Sequence, residues 1–189
     1  LLQRIGAEEY ALLPPIASVM AFLPMLTVIL SSGLARYTVE AYAKGDERLV
    51  TQIVSTMAPL HVAAGALLLL AGGLLAWQID RVLNIAPRHL TDARIMVVLL
   101  NFSIVVPLML TPFAVGFDIR QKLALRNGIT LATQVTRMAL LAVLLFGVSA
   151  RVLWVVVSSS SSLVLWQVVA ALVSRRLVPC LRFHPREIR

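Results

Sequence analysis

Apolar residues along this chain gather into five long runs, at about residues 11–34, 52–77, 93–117, 128–148 and 152–174, with short polar stretches between them. An α-helix rising about 1.5 Å per residue needs about 20 apolar residues to cross a hydrocarbon layer about 30 Å thick. Each run is long enough. The pattern predicts an all-α protein, a polytopic membrane helix bundle with five transmembrane helices. The first run contains no charge, and Pro14, Pro15 and Pro24 are expected to bend its outer half, because proline removes a backbone donor and crowds the preceding turn. Pro107 and Pro112 are expected to kink or break the inner end of the third helix, as a hinge or as a packing irregularity.

The polar stretch GLARYTVEAYAKGDERLV, residues 33–50, keeps a helical spacing of its own, with Arg36, Glu40 and Lys44 falling four apart. The first helix is therefore expected to continue past the membrane to Lys44, roughly 50 Å from Ala11. Gly45 suits the position just after a helix end, and Asp46 with Glu47 suits the positive N-terminus of the next helix. The charge run thus reads as a tight helix-to-helix turn standing in water.

Composition agrees: 59% of the 189 residues are hydrophobic and 14% charged, and the mean hydropathy is +0.88. No separate soluble domain remains to be placed. The net charge of +8 would point to nucleic acid in a soluble protein, but its distribution has a simpler cause. Eleven cations (Arg36, Lys44, Arg48, Arg120, Lys122, Arg126, Arg175, Arg176, Arg182, Arg186 and Arg189) share one side, against five (Arg4, Arg81, Arg88, Arg94 and Arg151) on the other. The bias of Lys and Arg toward cytoplasmic loops then puts segments 36–48, 118–127 and 175–189, the C-terminal end included, in the cytoplasm, and no nucleic-acid partner is expected. An odd number of spans leaves the first residue outside, which asks for an earlier span, and LLQRIGAEEY is not a signal peptide. The chain reads as part of a longer one. Cys180, the single cysteine, has no disulfide partner within it.

RIGAEEYALLPPIASVMAFLPMLTVILSSGLARYTVEAYAKGDERLV resembles the region after the first span in polysaccharide and O-antigen exporters of the multidrug, oligosaccharidyl-lipid and polysaccharide flippase superfamily. PFAVGFDIRQKLALRNGITLATQVTRMALLAVLL is similar to the stretch joining their fourth and fifth helices, and SRRLVPCLRF to the link toward their second half. The resemblance implies helices two to six of the first lobe of a two-lobe bacterial inner-membrane transporter. Its implied partners are membrane lipids, the remainder of the same transporter, and a lipid-linked oligosaccharide of polyprenyl-pyrophosphate type, carried outward by alternating access. No cofactor is implied.

Within that frame Arg137 is the most informative residue, since it lies about ten residues into the fourth helix, about 15 Å deep. A charge at the bilayer centre costs at least about 2.5 to 3.5 kcal/mol, so it should face a partner or a watery cavity. Thr130, Thr133 and Gln134 precede it on the same helical stripe, giving this helix one polar face. In a flippase such a stripe has a direct purpose, because Arg pairs with phosphate oxygens through a bidentate fork. The alternative is that Arg137 caps carbonyls of a neighbouring helix or pairs with an acid elsewhere in the transporter. Arg36 is either a contact for an entering phosphate or an anchor at the headgroups.

Other polar residues read as packing groups. His61 is expected to hydrogen-bond a neighbouring helix, Asn101 and Ser103 to find interhelical partners, and the run Ser158–Ser162, with Gly72 and Gly73, to let helices approach closely. No catalytic motif and no Cys/His cluster with metal spacing is present, so neither an enzyme nor a metal site is expected. Asp46, Asp80, Asp92 and Asp118 all sit at span ends. The absence of an intramembrane acid argues against the first rival reading, a multidrug exporter on the same fold. The second rival is a non-transporting membrane scaffold subunit.

Overall fold

The computed structural model describes residue 28 and residues 33–82, 90–147 and 153–181. Its elements are all helices: α1 (Leu34–Ala43), α2 (Glu47–Trp77), α3 (Ile79–Val82), α4 (Leu90–Ala114), α5 (Gly116–Ile119), α6 (Leu123–Gly147) and α7 (Leu153–Leu177). Four stretches are long and apolar enough to cross a membrane, namely α2, α4 with α5, α6 and α7. An all-α membrane bundle is the result. The predicted first span, 11–34, lies outside the described residues except for Val28, Gly33 and Leu34, as do Pro14, Pro15 and Pro24.

The charge run forms the expected turn, and its chemistry is visible. Gly45 sits at φ +75, its N–H donates to the Tyr42 carbonyl at 3.0 Å, and the Asp46 N–H donates to that of Ala41 at 3.1 Å. This pair of bonds closes a helix C-terminus around a left-handed residue, which glycine adopts without a Cβ penalty. Asp46 then caps α2 by accepting from the Leu49 N–H at 2.8 Å. Glu40 accepts from Lys44 Nζ at 2.7 Å, and that bond, with the lysine charge, holds its carboxyl below the usual carboxylate range.

Helix α2 packs on α4, α4 on α7, and α7 on α6, with α1 against the start of α2. The seam between α2 and α4 is made by residues recurring at helical spacing, Val50, Val54, Ala58, His61, Gly65, Gly72 and Ala76 on one side and Ala93, Val97, Asn101, Val105, Leu108 and Pro112 on the other. Asn101 Nδ2 reaches across and donates to the Leu68 carbonyl at 3.1 Å. Gly72 makes that possible, since a Cβ there would fall on the Asn101 amide, whereas Gly73 faces open space. The two glycines of the pair therefore differ in role. Ser160 Oγ donates to the Leu99 carbonyl on α4 at 3.2 Å, so the serine run does bring α7 against its neighbour.

Helix α4 runs through Pro107 and ends at Ala114, two residues past Pro112, and Thr111 Oγ1 donates to the Pro107 carbonyl at 2.9 Å. Two expectations are corrected. His61 bonds the Met57 carbonyl of its own helix at 2.8 Å rather than a neighbour's, and its Nε2 has no partner among the described residues. Ser103 likewise turns back on the Leu100 carbonyl at 2.7 Å. In both cases the side chain bonds a carbonyl one turn back on its own helix.

The described parts of the three basic segments meet at one end of the bundle around the cluster of Ala41, Val50, Val54, Val115, Ile119, Val178 and Leu181. There the Arg120 guanidinium lies 5.3 Å from the Tyr42 ring centroid, and that of Arg175 lies 5.4 Å from that of Phe113. Cys180 stands beside them with its thiol pushed up, first by burial and then by the Glu47 carboxylate. A raised pKa means less thiolate at neutral pH. Maleimide is therefore expected to label Cys180 more slowly than free cysteine at pH 7, the deficit closing as pH rises, and Glu47→Gln is expected to quicken labelling. Labelling at the free-thiol rate would remove this account.

Candidate functional site

The polar face of α6 begins about two turns inside the helix, at Thr130. Thr130 Oγ1 donates to the Arg126 carbonyl at 3.1 Å and Thr133 Oγ1 to that of Ile129 at 2.9 Å. Each hydroxyl thus spends its proton on its own helix, leaving oxygen lone pairs free to accept. Gln134 lies one turn beyond Thr130.

These three residues line a cavity of about 540 Å³ between α6, α7, the end of α4 and α5, with Leu34 and Ala35 of α1 at one edge. That volume is within the usual range for a small-ligand site. From α7 it receives Leu163, Trp166, Gln167 and Ala170, and from the α4–α5 corner Thr111, Phe117 and Asp118. Trp166 is fixed by its Nε1–H, which donates to Thr136 Oγ1 at 2.9 Å and so ties α7 to α6. Among the described residues the amides of Gln134 and Gln167 have no hydrogen-bond partner. Two unpaired amides thus border one hollow, one from each of two facing helices.

The charged residues on the cavity are Asp118 and Arg126, at its basic end. Arg126 Nη1 donates to Asp118 Oδ1 at 2.9 Å. The corner carrying Asp118 is held against α7 from behind, where the Gly116 N–H donates to Ser174 Oγ at 2.9 Å.

Of the residues expected from the sequence, Thr130, Thr133 and Gln134 come together on this cavity. Arg137 and Arg36 are not among its lining residues. Arg137 is exposed, one turn past Gln134 on α6, and has no bonded partner among the described residues. Arg36 is exposed on α1, where it adds to the positive field at Glu40. Sequence reasoning missed Arg126, Asp118, Trp166 and Gln167. Gln167, a polar residue inside the last apolar run, is the signal that could have pointed to α7.

No family model matches the chain, and no solved structure matches it. It is similar to the uncharacterized membrane protein EpsK of Bacillus subtilis (strain 168), with 22% identity over 189 residues, 100% of this chain and 37% of that protein. The chain thus spans little more than a third of that relative's length. The four long apolar helices and this likeness together make the chain a membrane protein.

Proposed function

We propose that this chain is part of a transporter that carries a lipid-linked oligosaccharide, of polyprenyl-pyrophosphate type, across a bacterial inner membrane by alternating access, with its basic end in the cytoplasm. The observation that carries this reading is the polar cavity: unpaired Gln134 and Gln167 amides, threonine hydroxyls and one arginine face a hollow of about 540 Å³ within membrane helices. Gln134 is exposed and Gln167 half-buried, so in the bilayer their amides are open to a polar cargo or water, which would supply the hydrogen bonds that lipid cannot. A sugar suits them, since each amide both donates and accepts, as hydroxyl pairs require.

Arg137 continues the same stripe deeper into the bilayer, where a guanidinium would meet the phosphate as it crosses, and Arg36 stands at the basic end where the phosphate would first arrive. The rest of the transporter would supply the facing lobe.

Gln134→Leu together with Gln167→Leu in the full-length protein keeps the volume and removes the hydrogen bonding. Export of surface polysaccharide is expected to fall by about tenfold or more, the equivalent of one or two lost hydrogen bonds, at equal protein level. Unchanged export would remove the cavity from the path.

A further inference from the structure

We infer that Arg126 is an anion-binding residue of the cavity and that Asp118 is its built-in competitor, a carboxylate that occupies the guanidinium until a phosphate ester displaces it. The inference rests on the reading of the cavity as a site for a phosphate-bearing cargo.

The geometry of the pair carries it. Arg126 meets Asp118 through one nitrogen and one oxygen, Nη1 to Oδ1 at 2.9 Å, and the side chains are 58% and 28% exposed. A guanidinium has five N–H donors in a flat fork, so this single bond leaves most of its capacity unused. A phosphate can take two parallel bonds where the carboxylate takes one. Replacing one anion by another also keeps the arginine paired throughout, so neither state leaves a bare cation at the edge of the hydrocarbon.

The pair is not needed to shape the corner. The turn from α5 into α6 is closed by the Lys122 N–H on the Phe117 carbonyl at 2.9 Å and by Gln121 Nε2 on the Asp118 carbonyl at 2.9 Å, with Gln121 at φ 52. The Asp118 carboxylate is thus free for another task. Nor does the neighbouring cation compete for it, because Arg120 points elsewhere, its Nε on the Leu177 carbonyl at 3.3 Å.

The test measures binding of farnesyl pyrophosphate to the full-length protein in nanodiscs, with inorganic pyrophosphate and farnesol as the other arms. Asp118→Asn is expected to tighten farnesyl pyrophosphate binding about three- to fivefold, the scale of an exposed ion pair relieved. Arg126→Gln is expected to weaken it about tenfold or more, with Arg126→Lys recovering part, and Asp118→Asn is expected to add nothing in the Arg126→Gln background. The same shifts with inorganic pyrophosphate would identify a soluble anion as the ligand, and shifts confined to the farnesyl compound a lipid head; farnesol should show none. Unchanged or weaker binding by Asp118→Asn, or a gain that survives without Arg126, would overturn the inference while leaving the transport reading standing. Unfolding of both Asp118→Asn and Asp118→Ala would overturn it too, by making the pair a structural staple. If the wild-type protein binds neither anion, both readings fall together.

Discussion

Gly116→Ala is expected to destabilise the bundle by about 2 to 4 kcal/mol, although on helix propensity alone it should stabilise it by about 0.5 to 1 kcal/mol. The reason is the approach of the α4–α5 corner to α7. A Cβ on Gly116 would stand 2.5 Å from Ser174 Oγ, 2.8 Å from the Ser174 backbone carbonyl and 3.0 Å from Leu181 Cδ1. The hydroxyl can rotate away, but the carbonyl belongs to a helix and cannot. Moving apart would also break the bond from the Gly116 N–H to Ser174 Oγ, which is buried and has no water to replace it. Gly128→Ala, in α6 where nothing lies within 4 Å, is the matched control. Thermal unfolding of the two variants in detergent should shift in opposite directions. If Gly116→Ala melts as Gly128→Ala does, the corner is not held as described.

That corner also marks where sequence reading stops. The turn at Lys44–Asp46 was legible because its determinants are local: a glycine able to adopt positive φ and an aspartate one residue before the next helix are adjacent in the chain. The polar face of α6 was legible for the same reason, since Thr130, Thr133 and Gln134 recur at the period of a single helix. What each faces depends on which helix comes next to it. Asp118 and Arg126 read only as loop charges until α5 and α6 are folded against each other, and Trp166 with Gln167 acquires a role from the packing of α7 on α6. Likewise Gly72 and Gly73 are equivalent in the sequence, and only the position of Asn101 on α4 separates them. The serines show the same limit: five in succession cover every face of α7, Ser158 with Ser162 and Ser160 are buried on nearly opposite faces, and only the bond from Ser160 to the Leu99 carbonyl identifies the one that meets α4.

Arg137→Glu in the full-length protein is expected to reduce polysaccharide export by about 100-fold or more, because it removes a charge-assisted bond to phosphate and puts a repelling charge in its place. The residue lies about 21 Å from the start of α6 and about 15 Å from its end, so neither headgroup layer is within easy reach. Helix α6 has no buried residue and sits at the edge of the bundle, with α7 against one side. An exposed guanidinium at that depth costs at least about 2.5 to 3.5 kcal/mol if it faces lipid, and that cost falls away if it faces water, an anion or another part of the transporter. The three faces predict different results. If Arg137 meets the cargo, Glu abolishes export at normal protein level and Lys, which keeps the charge but loses the fork, retains part of it. If it only pairs with an acid elsewhere in the chain, Glu and Gln should lower the amount of folded protein, and export per molecule should stay level. If it faces lipid, Arg137→Leu should raise stability and leave export intact, and the stripe would then end at Gln134.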